Sequence, residues 1–587
     1  LPIIADEYVK TDFGTGCLKI TPGHDPNDFE IGRKHGLPEL SAIGEDGRMT
    51  DLVPEFAGLT VAEAQAAVVA ALDAAGAIRE KEPYTHTVPF SHRSGQRIEP
   101  LISLQWFMKM DELAAPAIAV VREGRVKIHP ESQSRRYVDW LENIRPWCIS
   151  RQLWWGHQIP VWYRGDDEVY CGQAPPEGEG WTQDPDVLDT WFSSALWPFA
   201  TLGWPEQTPD LQAFYPTDVL STARDILFLW VARMVMMGLE FTGDIPFEHV
   251  YIHSVIQAPD GRRMSKSLGT GIDPVELIDR HGADGVRFGL LAMSSTQDVR
   301  FSEEKVAQGQ ALANKLFNAT RFVITNAAEG TAPRVGGGRD GFVEDRWILS
   351  RLGAAKADLA ARLEAFDFSK AALGLYDFVY GELCDWYLEL IKGREFDDEL
   401  SAHLLYVLRE TVVLAHPIIP FVTEELWPHV GGDGLLAAHV DDAPAAPRDP
   451  DAEHDIERVI ATVQAVRSWR DAGGVKPGAF LAARIDGLDA GSISLVARLA
   501  RLTPTDDAGR APVAVIPVRG CQVELLEGVD PAETAAKIEA ARKTLQGEIK
   551  RAEGKLGNQG FVAKAPDAVV AAEREKLERL KAELEAL

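Results

Sequence analysis

The stretch Asp260-Gly-Arg-Arg-Met-Ser-Lys-Ser-Leu-Gly269 concentrates the residue types that bind a polyphosphate. Its Asp-Gly pair predicts a turn, and a cluster of cations and hydroxyls follows at once. Lys266 offers a mobile point charge, while Ser265 and Ser267 offer short hydrogen bonds to phosphate oxygens. Charge alone favours an ordinary solvated basic turn, because such turns are more common than phosphate sites.

A second polar group lies in the dense turn Pro22-Gly-His-Asp-Pro-Asn-Asp28, directly after Cys17-Leu-Lys-Ile-Thr21. We expect residues 1–85 to mix short strands with helices, and Asp28 or Asn27 to be the N-cap of the helix that follows this turn. Such carboxylates could bind a substrate. Alternatively, they only cap the helix and brace the loop.

Tryptophans recur in Arg145-Pro-Trp-Cys-Ile-Ser-Arg-Gln-Leu-Trp-Trp-Gly-His-Gln-Ile-Pro160 and again at Trp191 and Trp230. The ordinary interpretation is an aromatic strand and loop in which most of these side chains are buried in the core. Asp225 precedes Trp230 by one short segment. A carboxylate and an indole therefore lie close together in the sequence.

The elements that must position these residues follow from local patterns. Val250-Tyr-Ile-His-Ser-Val-Ile256 predicts a strand leading into the basic turn, and Asp273-Pro274 predicts the start of a helix after it. Further helices are expected at about 131–143, from 282 to about 328 and, with strong periodicity, over 342–480. The Gly- and Pro-rich break at 329–341 indicates a linker, and 481–530 indicates short strands and turns.

Two apolar stripes mark the last part of the chain. Because 557–566 should reverse the chain between them, we predict an antiparallel coiled-coil hairpin. Residues 533–587 carry 11 Lys and Arg against 10 Asp and Glu, whereas the whole chain has a net charge of −29. A relatively basic arm suits a nucleic-acid backbone, although a simple packing hairpin remains the alternative. The stripes are Ile538, Ala541, Leu545, Ile549, Ala552, Leu556 and Val570, Leu577, Leu580, Leu584, Leu587.

Composition limits the class of protein. With 587 residues, 45% hydrophobic and 25% charged, the chain should form several globular domains. No apolar run reaches the roughly 20 residues of a membrane span. Its five cysteines form no Cys-x-x-Cys pair, which argues against a structural metal site or a disulfide framework and fits a cytoplasmic protein.

The string Arg263-Met-Ser-Lys-Ser267, with its Asp-Gly and Leu-Gly flanks, resembles the second signature of class I aminoacyl-tRNA synthetases. The resemblance implies ATP, with Mg²⁺, as a ligand. It implies a catalytic role for Lys266, which would stabilise charge on the α-phosphate. The ATP-binding residues would be Arg263, Met264, Ser265, Lys266, Ser267 and Asp225.

The string from Gly14 to Phe29 is similar to the editing loop of valyl-tRNA synthetases, which hydrolyses threonine wrongly attached to tRNA. A pocket for valine rejects an isostere that carries a hydroxyl poorly, and valine and threonine are the standard example of such a pair for this same enzyme family. A second, polar site is therefore needed. The residues that match are Lys19, Thr21, Asp25 and Asp28, with Asp28 as the expected partner of the α-amino group.

The tryptophan string, and Trp154-Trp155-Gly156-His157 above all, resembles the valyl family, in which Trp191 and Trp230 match the valine pocket. Thr222-Ala223-Arg224-Asp225 departs from the family's usual Thr-Gly-Tyr-Asp. The departure adds a Cβ at Ala223, where glycine would let backbone approach ligand closely.

The resemblance implies a multidomain α/β plus all-α fold with a partial Rossmann-like catalytic domain. Expected partners are tRNA(Val), L-valine and ATP, with no membrane, and the chain is expected to be a monomer. The domains expected are an editing remnant (1–85), a stalk (86–130), the second half of the catalytic domain (131–328), a helical anticodon-binding domain (342–480), a small α/β region (481–530) and a coiled-coil tRNA-binding arm (531–587).

The family's first signature, a His-x-Gly-His turn, does not occur in the sequence, and the chain opens on Leu1. We therefore expect an N-terminally truncated chain that does not activate valine alone. Two alternatives stay open. One is a non-catalytic tRNA-binding protein derived from a synthetase, and the other is an isoleucyl or leucyl enzyme.

Overall fold

A computed structural model describes residues 2–12, 14–83, 85, 87–91, 94–165, 167–265, 269–294, 297–335, 341–439, 448–507, 509–526, 531–558 and 567–585. The chain divides into two compact units, one of residues 1–116 with 142–197 and the other of residues 117–141 with 198–587. Within those described ranges, no helix is long and apolar enough to cross a membrane.

The first unit contains short helices and short antiparallel strand pairs. Its helices are Pro26–His35, Pro54–Phe56, Val61–Ala74 and Thr190–Ser194, and the chain passes between the units within Asp111–Arg122, Ser132–Glu142 and Trp197–Ala200. Phe107–Met108 pairs with Trp147–Cys148, Ser150–Arg151 with Val187–Leu188, and Val161–Arg164 with both Glu168–Cys171 and Thr182–Gln183.

Two expectations for residues 1–85 are wrong. The described residues there form no strand beyond isolated bridges such as Ile43 with Met49. The helix begins at Pro26, and its N-cap is Asp25, whose side chain accepts the N–H groups of Asn27 and Asp28 at 2.8 and 3.0 Å. A proline at the first helical position favours this earlier start because its fixed φ suits a helix.

A three-stranded parallel sheet lies in the second unit, in the order Lys127–His129, Phe247–His253, Thr217–Ala223. Leu220, Val250 and Ile252 are buried on one face, as expected for apolar and β-branched residues in a parallel sheet. The chain passes from Thr217–Ala223 to Phe247–His253 through three consecutive helical segments, Arg224–Ile226, Leu227–Val231 and Ala232–Thr242. The helix Pro209–Phe214 precedes the strand Thr217–Ala223. The expected helix at 131–143 is present as Ser132–Glu142.

The signature loop, which we define as residues 258–272, follows this sheet. Ile256–Gln257 pairs with Val299–Arg300, and the helix Pro274–Ala292 begins at the N-cap Asp273, as predicted. This helix crosses Glu303–Asn326 closely. A Cβ added at Gly289 would lie 2.7 Å from the Val306 Cα, so only glycine permits the approach.

The helical domain covers most of the region in which periodicity predicts helices. Its members are Val343–Glu364, Phe368–Tyr376, Asp377–Tyr387, Leu388–Leu390, Asp398–Ala415, Pro420–Leu426, Trp427–Val430, Leu436–His439 and Pro450–Ala472. Asp284, in the helix after the signature loop, accepts the backbone N–H groups of Phe421 and Val422 at 3.1 and 2.7 Å. Arg287 donates to the carbonyls of Pro417 and Ile418 at 3.1 and 3.2 Å. The domain is thus bonded directly to that helix.

The parallel sheet also contacts the helical domain through an aromatic cluster. His129 Nε2 lies 2.9 Å from His249 Nδ1, and the ring of Phe366 stacks on His129 at 4.3 Å between centroids. Phe366 has φ +57°, a left-handed conformation that is rare for a bulky residue. Burial, and secondarily the neighbouring His249, lower the pKa of His129.

The remainder of the chain forms a small sheet and two long helices. The sheet order is Leu502–Pro504, Leu481–Asp486, Cys521–Leu525, Ala514–Val518, and a helix that the sequence did not predict, Ala490–Ala500, lies beside it. Pro531–Gly557 and Asp567–Glu585 enclose a buried cluster of Ile549, Ala552, Leu577 and Leu580. Lys555 pairs with Glu573 at 3.3 Å and Glu553 with Lys581 at 3.4 Å, so the two helices are antiparallel. Three parts of these predictions lie outside the described residues: positions 559–566 of the reversal predicted at 557–566, Leu587, and positions 336–340 of the linker.

Candidate functional site

The signature loop begins as a tight turn. Gly261, at φ +85°, donates its N–H to the Ala258 carbonyl at 2.8 Å, and Ala258 in turn donates to the Arg262 carbonyl at 2.9 Å. Two hydrogen bonds from Arg262 lower the pKa of Asp260. The larger effect comes from its backbone N–H, and the smaller from its guanidinium Nε, which lies 2.7 Å from Asp260 Oδ2. The Asp-Gly turn predicted from the sequence is confirmed.

The hydroxyl of Thr270 ties the two ends of the central part of this loop. It accepts the Ser265 N–H at 3.0 Å and donates to the Arg263 carbonyl at 3.0 Å, and Thr270 N donates to the Ser265 carbonyl at 3.2 Å. Lys266 and Ser267 come between Ser265 and Thr270 in the sequence and lie outside the described residues. Thr270 was not among the predicted residues, although a hydroxyl between two glycines directly after the motif could have indicated it.

Arg263 approaches Asp225, which lies just after the edge strand Thr217–Ala223. Its Nη1 lies 3.8 Å from Asp225 Oδ2, and the two side chains are 82% and 54% exposed. Asp225 follows the carboxyl end of Thr217–Ala223, the edge of a parallel sheet at which ligands bind in open α/β folds. The structure thus brings together Arg263 and Asp225, two of the residues predicted to bind ATP. Met264 and Ser265 lie half-buried directly after them.

Arg224, which with Ala223 departs from the family's pattern, forms an ion pair with Asp298. The other carboxylate oxygen of Asp298 accepts the Val255 N–H at 3.0 Å. The Asp298 carboxylate therefore connects the residue after the strand Thr217–Ala223 with the segment that follows the strand Phe247–His253. Sequence reasoning missed Asp298, which is 74 positions from Arg224.

A cavity of about 380 Å³ lies on the face of the sheet opposite the buried one. Strand residues Val219 and Tyr251 line it, and Val219 is 47% exposed. Its remaining lining residues are Ser221, His253, Ser254, Ile256, Leu290, Leu291, Ser294, Phe366 and Phe368. The cavity is therefore lined by apolar and aromatic side chains together with hydroxyl groups and one imidazole.

Trp230 is half-buried in the π-helical turn Leu227–Val231 of the second unit. In the first unit, Trp191 is the second residue of the short helix Thr190–Ser194. Its N-cap Asp189 is 5% exposed and accepts the Trp191 N–H at 3.1 Å. Asp189 also accepts from Trp147 Nε1 at 3.0 Å and from Arg151 at 2.7 Å. These hydrogen bonds to the buried Asp189 hold the start of the helix that contains Trp191 in place.

The four residues of the predicted editing pocket are distributed around one turn. Asp28 Oδ2 accepts the backbone N–H of Thr21 at 2.7 Å and its hydroxyl at 3.1 Å, and Asp28 is 8% exposed. Asp25 serves as the N-cap, and Lys19 is exposed. In these contacts both carboxylates brace the loop.

The expectation that most tryptophans of the 145–160 string are buried is wrong for two of them. Trp147 is 7% exposed, whereas Trp154 and Trp155 are fully exposed, at 106% and 92%. Across the residues that the structure describes, no group of three or more His, Cys, Asp and Glu could hold a metal ion.

Three known families match successive parts of this chain. The family described as tRNA synthetases class I (I, L, M and V) matches residues 27–179 and 173–302. The anticodon-binding domain of tRNA ligase matches residues 345–485, and the valyl tRNA synthetase tRNA binding arm matches residues 530–587.

One solved structure and two curated relatives are similar to this chain over most of its length. A solved Mycobacterium tuberculosis methionyl-tRNA synthetase in complex with methionyl-adenylate is 19% identical, over 62% of this chain and 70% of its own, with a TM-score of 0.49. Valine–tRNA ligase of Streptomyces coelicolor is 44% identical, over 100% of this chain and 70% of the relative. That of Geobacillus stearothermophilus is 42% identical, over 98% and 68%. The chain therefore belongs to the valine–tRNA ligase family.

Proposed function

We propose that this chain belongs to an enzyme that carries out valine–tRNA ligation: in the complete enzyme, L-valine and ATP form valyl-adenylate and pyrophosphate, and the valyl group then passes to tRNA(Val) with release of AMP. The observation that carries the proposal is the approach of Arg263 to Asp225, at 3.8 Å, where the signature loop meets the carboxyl edge of the parallel sheet. Family membership supplies the substrates.

In this proposal Lys266 is the catalytic cation. It stabilises the negative charge that develops on the α-phosphate as the valine carboxylate attacks, and Arg263, Met264, Ser265, Ser267 and Asp225 complete the ATP site. The bonds from Thr270 to both Ser265 and Arg263 support an ATP site here, because they restrain the backbone of two of its proposed residues before the ligand binds. The exposed guanidinium of Arg263 suits a phosphate, and Mg²⁺ would arrive with ATP.

Trp191 and Trp230 are proposed to contact the valine side chain, and this assignment rests on the resemblance. Lys19, Thr21, Asp25 and Asp28 are proposed for hydrolysis of threonyl-tRNA. The buried position of Asp28 beside the Thr21 hydroxyl supports a role in recognising polar groups. The bracing contacts of both carboxylates fit the structural alternative equally.

The proposed domains keep the boundaries of the sequence analysis: an editing remnant (1–85), a stalk (86–130), the second catalytic half (131–328), the anticodon-binding domain (342–480), a small α/β region (481–530) and a coiled-coil arm (531–587). The proposed partners are tRNA(Val), L-valine and ATP, and the proposed protein is a cytoplasmic monomer. Antiparallel packing of the last two helices supports the coiled coil.

We further propose that this chain alone does not activate valine. It spans 70% of the Streptomyces coelicolor relative, and its sequence contains no His-x-Gly-His turn to oppose the signature loop. The exposed Val219 on a three-stranded sheet supports a catalytic fold that needs a further layer.

The test compares this chain with a fusion that adds the part of the Streptomyces coelicolor relative outside the alignment. We expect valine-dependent exchange of pyrophosphate into ATP by the fusion and none by the unfused chain. Full-rate exchange by the unfused chain would contradict its proposed incompleteness, and exchange with isoleucine or leucine instead would contradict valine as the substrate. Binding of tRNA(Val) without any exchange by the fusion would favour a non-catalytic tRNA-binding protein.

A further inference from the structure

Asp298 lies where two neighbouring strands of the parallel sheet end. These strands are Thr217–Ala223 and Phe247–His253. The Asp298 side chain, which is 16% exposed, pairs with Arg224, the first residue after one strand. Its other carboxylate oxygen accepts the N–H of Val255, the second residue after the other strand, at 3.0 Å. One side chain thus bonds to the chain just beyond both strand ends.

The backbone that carries Asp298 is itself bonded to the start of the signature loop. Directly after Asp298, Val299–Arg300 pairs in parallel with Ile256–Gln257. Phe301 N then donates to the Gln257 carbonyl at 2.9 Å. Because the signature loop begins directly after Gln257, any change in the position of Asp298 is transmitted to the base of this loop.

A second contact from the same segment reaches the turn of the loop. A Cβ added at Gly261 would lie 3.2 Å from Arg300 Nε and 3.3 Å from Arg300 Nη2. Gly261 belongs to the Asp-Gly turn and has φ +85°. The segment that begins with Asp298 therefore contacts the loop both at its base and at its turn.

Arg224, the partner of Asp298, is adjacent in the sequence to Asp225, one of the residues proposed to bind ATP. The side chain of Asp225 approaches Arg263 of the loop, with 3.8 Å between Oδ2 and Nη1. Two neighbouring residues are thus connected to the same loop, Asp225 directly and Arg224 through Asp298. These connections set the distance between the loop and the carboxyl edge of the sheet.

The ion pair of Arg224 and Asp298 contributes more to geometry than to stability. Its side chains are 45% and 16% exposed, and ion pairs that are open to solvent stabilise a fold only weakly. It lies at the carboxyl edge of a parallel sheet, where ligands bind in open α/β folds. A displacement of about 1 Å in a group that positions a substrate can lower a rate about 100-fold.

We infer that Asp298 is a positioning residue of the proposed ATP site. It holds Arg224 at a fixed separation from the base of the signature loop, so that Asp225 and Arg263 face the same ligand. The inference rests on the proposed function and deepens it, because it adds a residue that acts without touching the substrate. It also gives a role to Arg224, which replaces the tyrosine of the family's usual Thr-Gly-Tyr-Asp.

The experiment measures valine-dependent pyrophosphate exchange by the fusion enzyme over a range of ATP concentrations. Asp298→Ala should raise the KM for ATP and lower kcat/KM for ATP about 10- to 100-fold, with the KM for valine unchanged. Arg224→Lys keeps the ion pair and should retain most of the activity, whereas Arg224→Met should not. Gln297→Ala, at the exposed neighbouring position, is the matched control and should leave all constants unchanged.

A double variant tests whether the two residues act as one unit. If they do, Arg224→Met combined with Asp298→Asn should lose no more than the more damaging single change. Fully additive losses would overturn the inference. A lower kcat with an unchanged KM for ATP in Asp298→Ala would also overturn it, because that result indicates less folded enzyme and not a misplaced site.

Hydrogen exchange of the 587-residue chain supplies a readout that does not depend on activity. Asp298→Ala should speed exchange at residues 254–262 and leave the helix Glu303–Asn326 protected. Equal acceleration in both regions would assign Asp298 a general stabilising role and contradict the inference. An inactive unsubstituted fusion contradicts the proposed function, whereas an active fusion that Asp298→Ala leaves unchanged contradicts only the role of Asp298.

Discussion

The carboxylate of Asp284 accepts the backbone N–H of Val422 at 2.7 Å, across 138 positions of sequence. Together with the bond from Phe421, this contact caps the helix Pro420–Leu426 with a side chain from the helix that directly follows the signature loop. A bond that normally comes from a residue just before the helix is thus supplied by a distant element.

Replacing Asp284 with Ala should loosen the helical domain from the catalytic part. The substitution removes two hydrogen bonds to a buried carboxylate, and we expect a loss of about 1–3 kcal/mol in the free energy of unfolding. Thermal unfolding followed by circular dichroism measures it. Asp279→Ala, an exposed change on the same helix, is the control, and an equal shift in both variants would contradict the capping role.

Removing the Thr270 hydroxyl should free the signature loop. Thr270→Val keeps the shape but loses both side-chain bonds, so the fusion enzyme should show roughly 10-fold lower kcat/KM for ATP, the effect of about 1.4 kcal/mol. Thr270→Ser should behave like the unsubstituted enzyme. Unchanged kinetics in Thr270→Val would show that the loop does not need these two hydrogen bonds.

Lys266→Ala should lower kcat for pyrophosphate exchange in the fusion by about 10²–10³, the usual effect of removing one group that stabilises transition-state charge. The KM for valine should change little, because the proposed contact is to phosphate. A large rise in the KM for valine with unchanged kcat would place Lys266 elsewhere in the site.

The lowered pKa of His129 gives the second unit a pH dependence. Since the folded state holds His129 neutral by burial, the unfolded state binds more protons as the pH falls through the ordinary histidine value of 6.5. Stability should therefore fall on acidification below about pH 6.5 and be fully present above it. Thermal midpoints between about pH 5 and 8 measure this dependence.

His129→Gln should flatten that profile, whereas His454→Gln, an exposed change on the helix Pro450–Ala472, should not. His403 and His416 also have lowered pKa values through burial, so part of the slope should remain in the variant. An unaltered slope in His129→Gln would assign the whole dependence to those two residues.

The arm should depend on its small buried cluster. Leu580→Ala removes a side chain that is 3% exposed, and a core change of this kind costs about 2–5 kcal/mol. We expect reduced helical signal from the arm and weaker binding of tRNA(Val). Glu575→Ala, on the exposed side of the same helix, should leave both properties intact, and tRNA affinity that survives Leu580→Ala would contradict a binding role for the folded arm.

Local signals predicted the parts of this structure that depend on neighbouring residues. The Asp-Gly turn, the strand before it and the cap at Asp273 each need only a few adjacent residues, and each is confirmed. The cap at Asp25 shows the limit of that reasoning, because several acids in one turn compete and the position of Pro26 decides between them.

Contacts between distant segments could not be predicted from one sequence. The pair Arg224 and Asp298 depends on how two strands and a helix converge. The exposure of Trp154 and Trp155 was also missed, because side-chain type favours burial and only the path of the loop around Gly156 turns them outward.

The neighbouring strands of the parallel sheet are far apart in the sequence, so the ribosome synthesises them at different times. His129 leaves the ribosome 120 residues before its partner His249, and the segment 142–197 of the other unit is made in between. At about 5–20 residues per second, the first strand waits about 6–24 s for its neighbour. During that interval the strand Lys127–His129 cannot form its hydrogen bonds in the sheet, because the strand Phe247–His253 that pairs with it has not been synthesised.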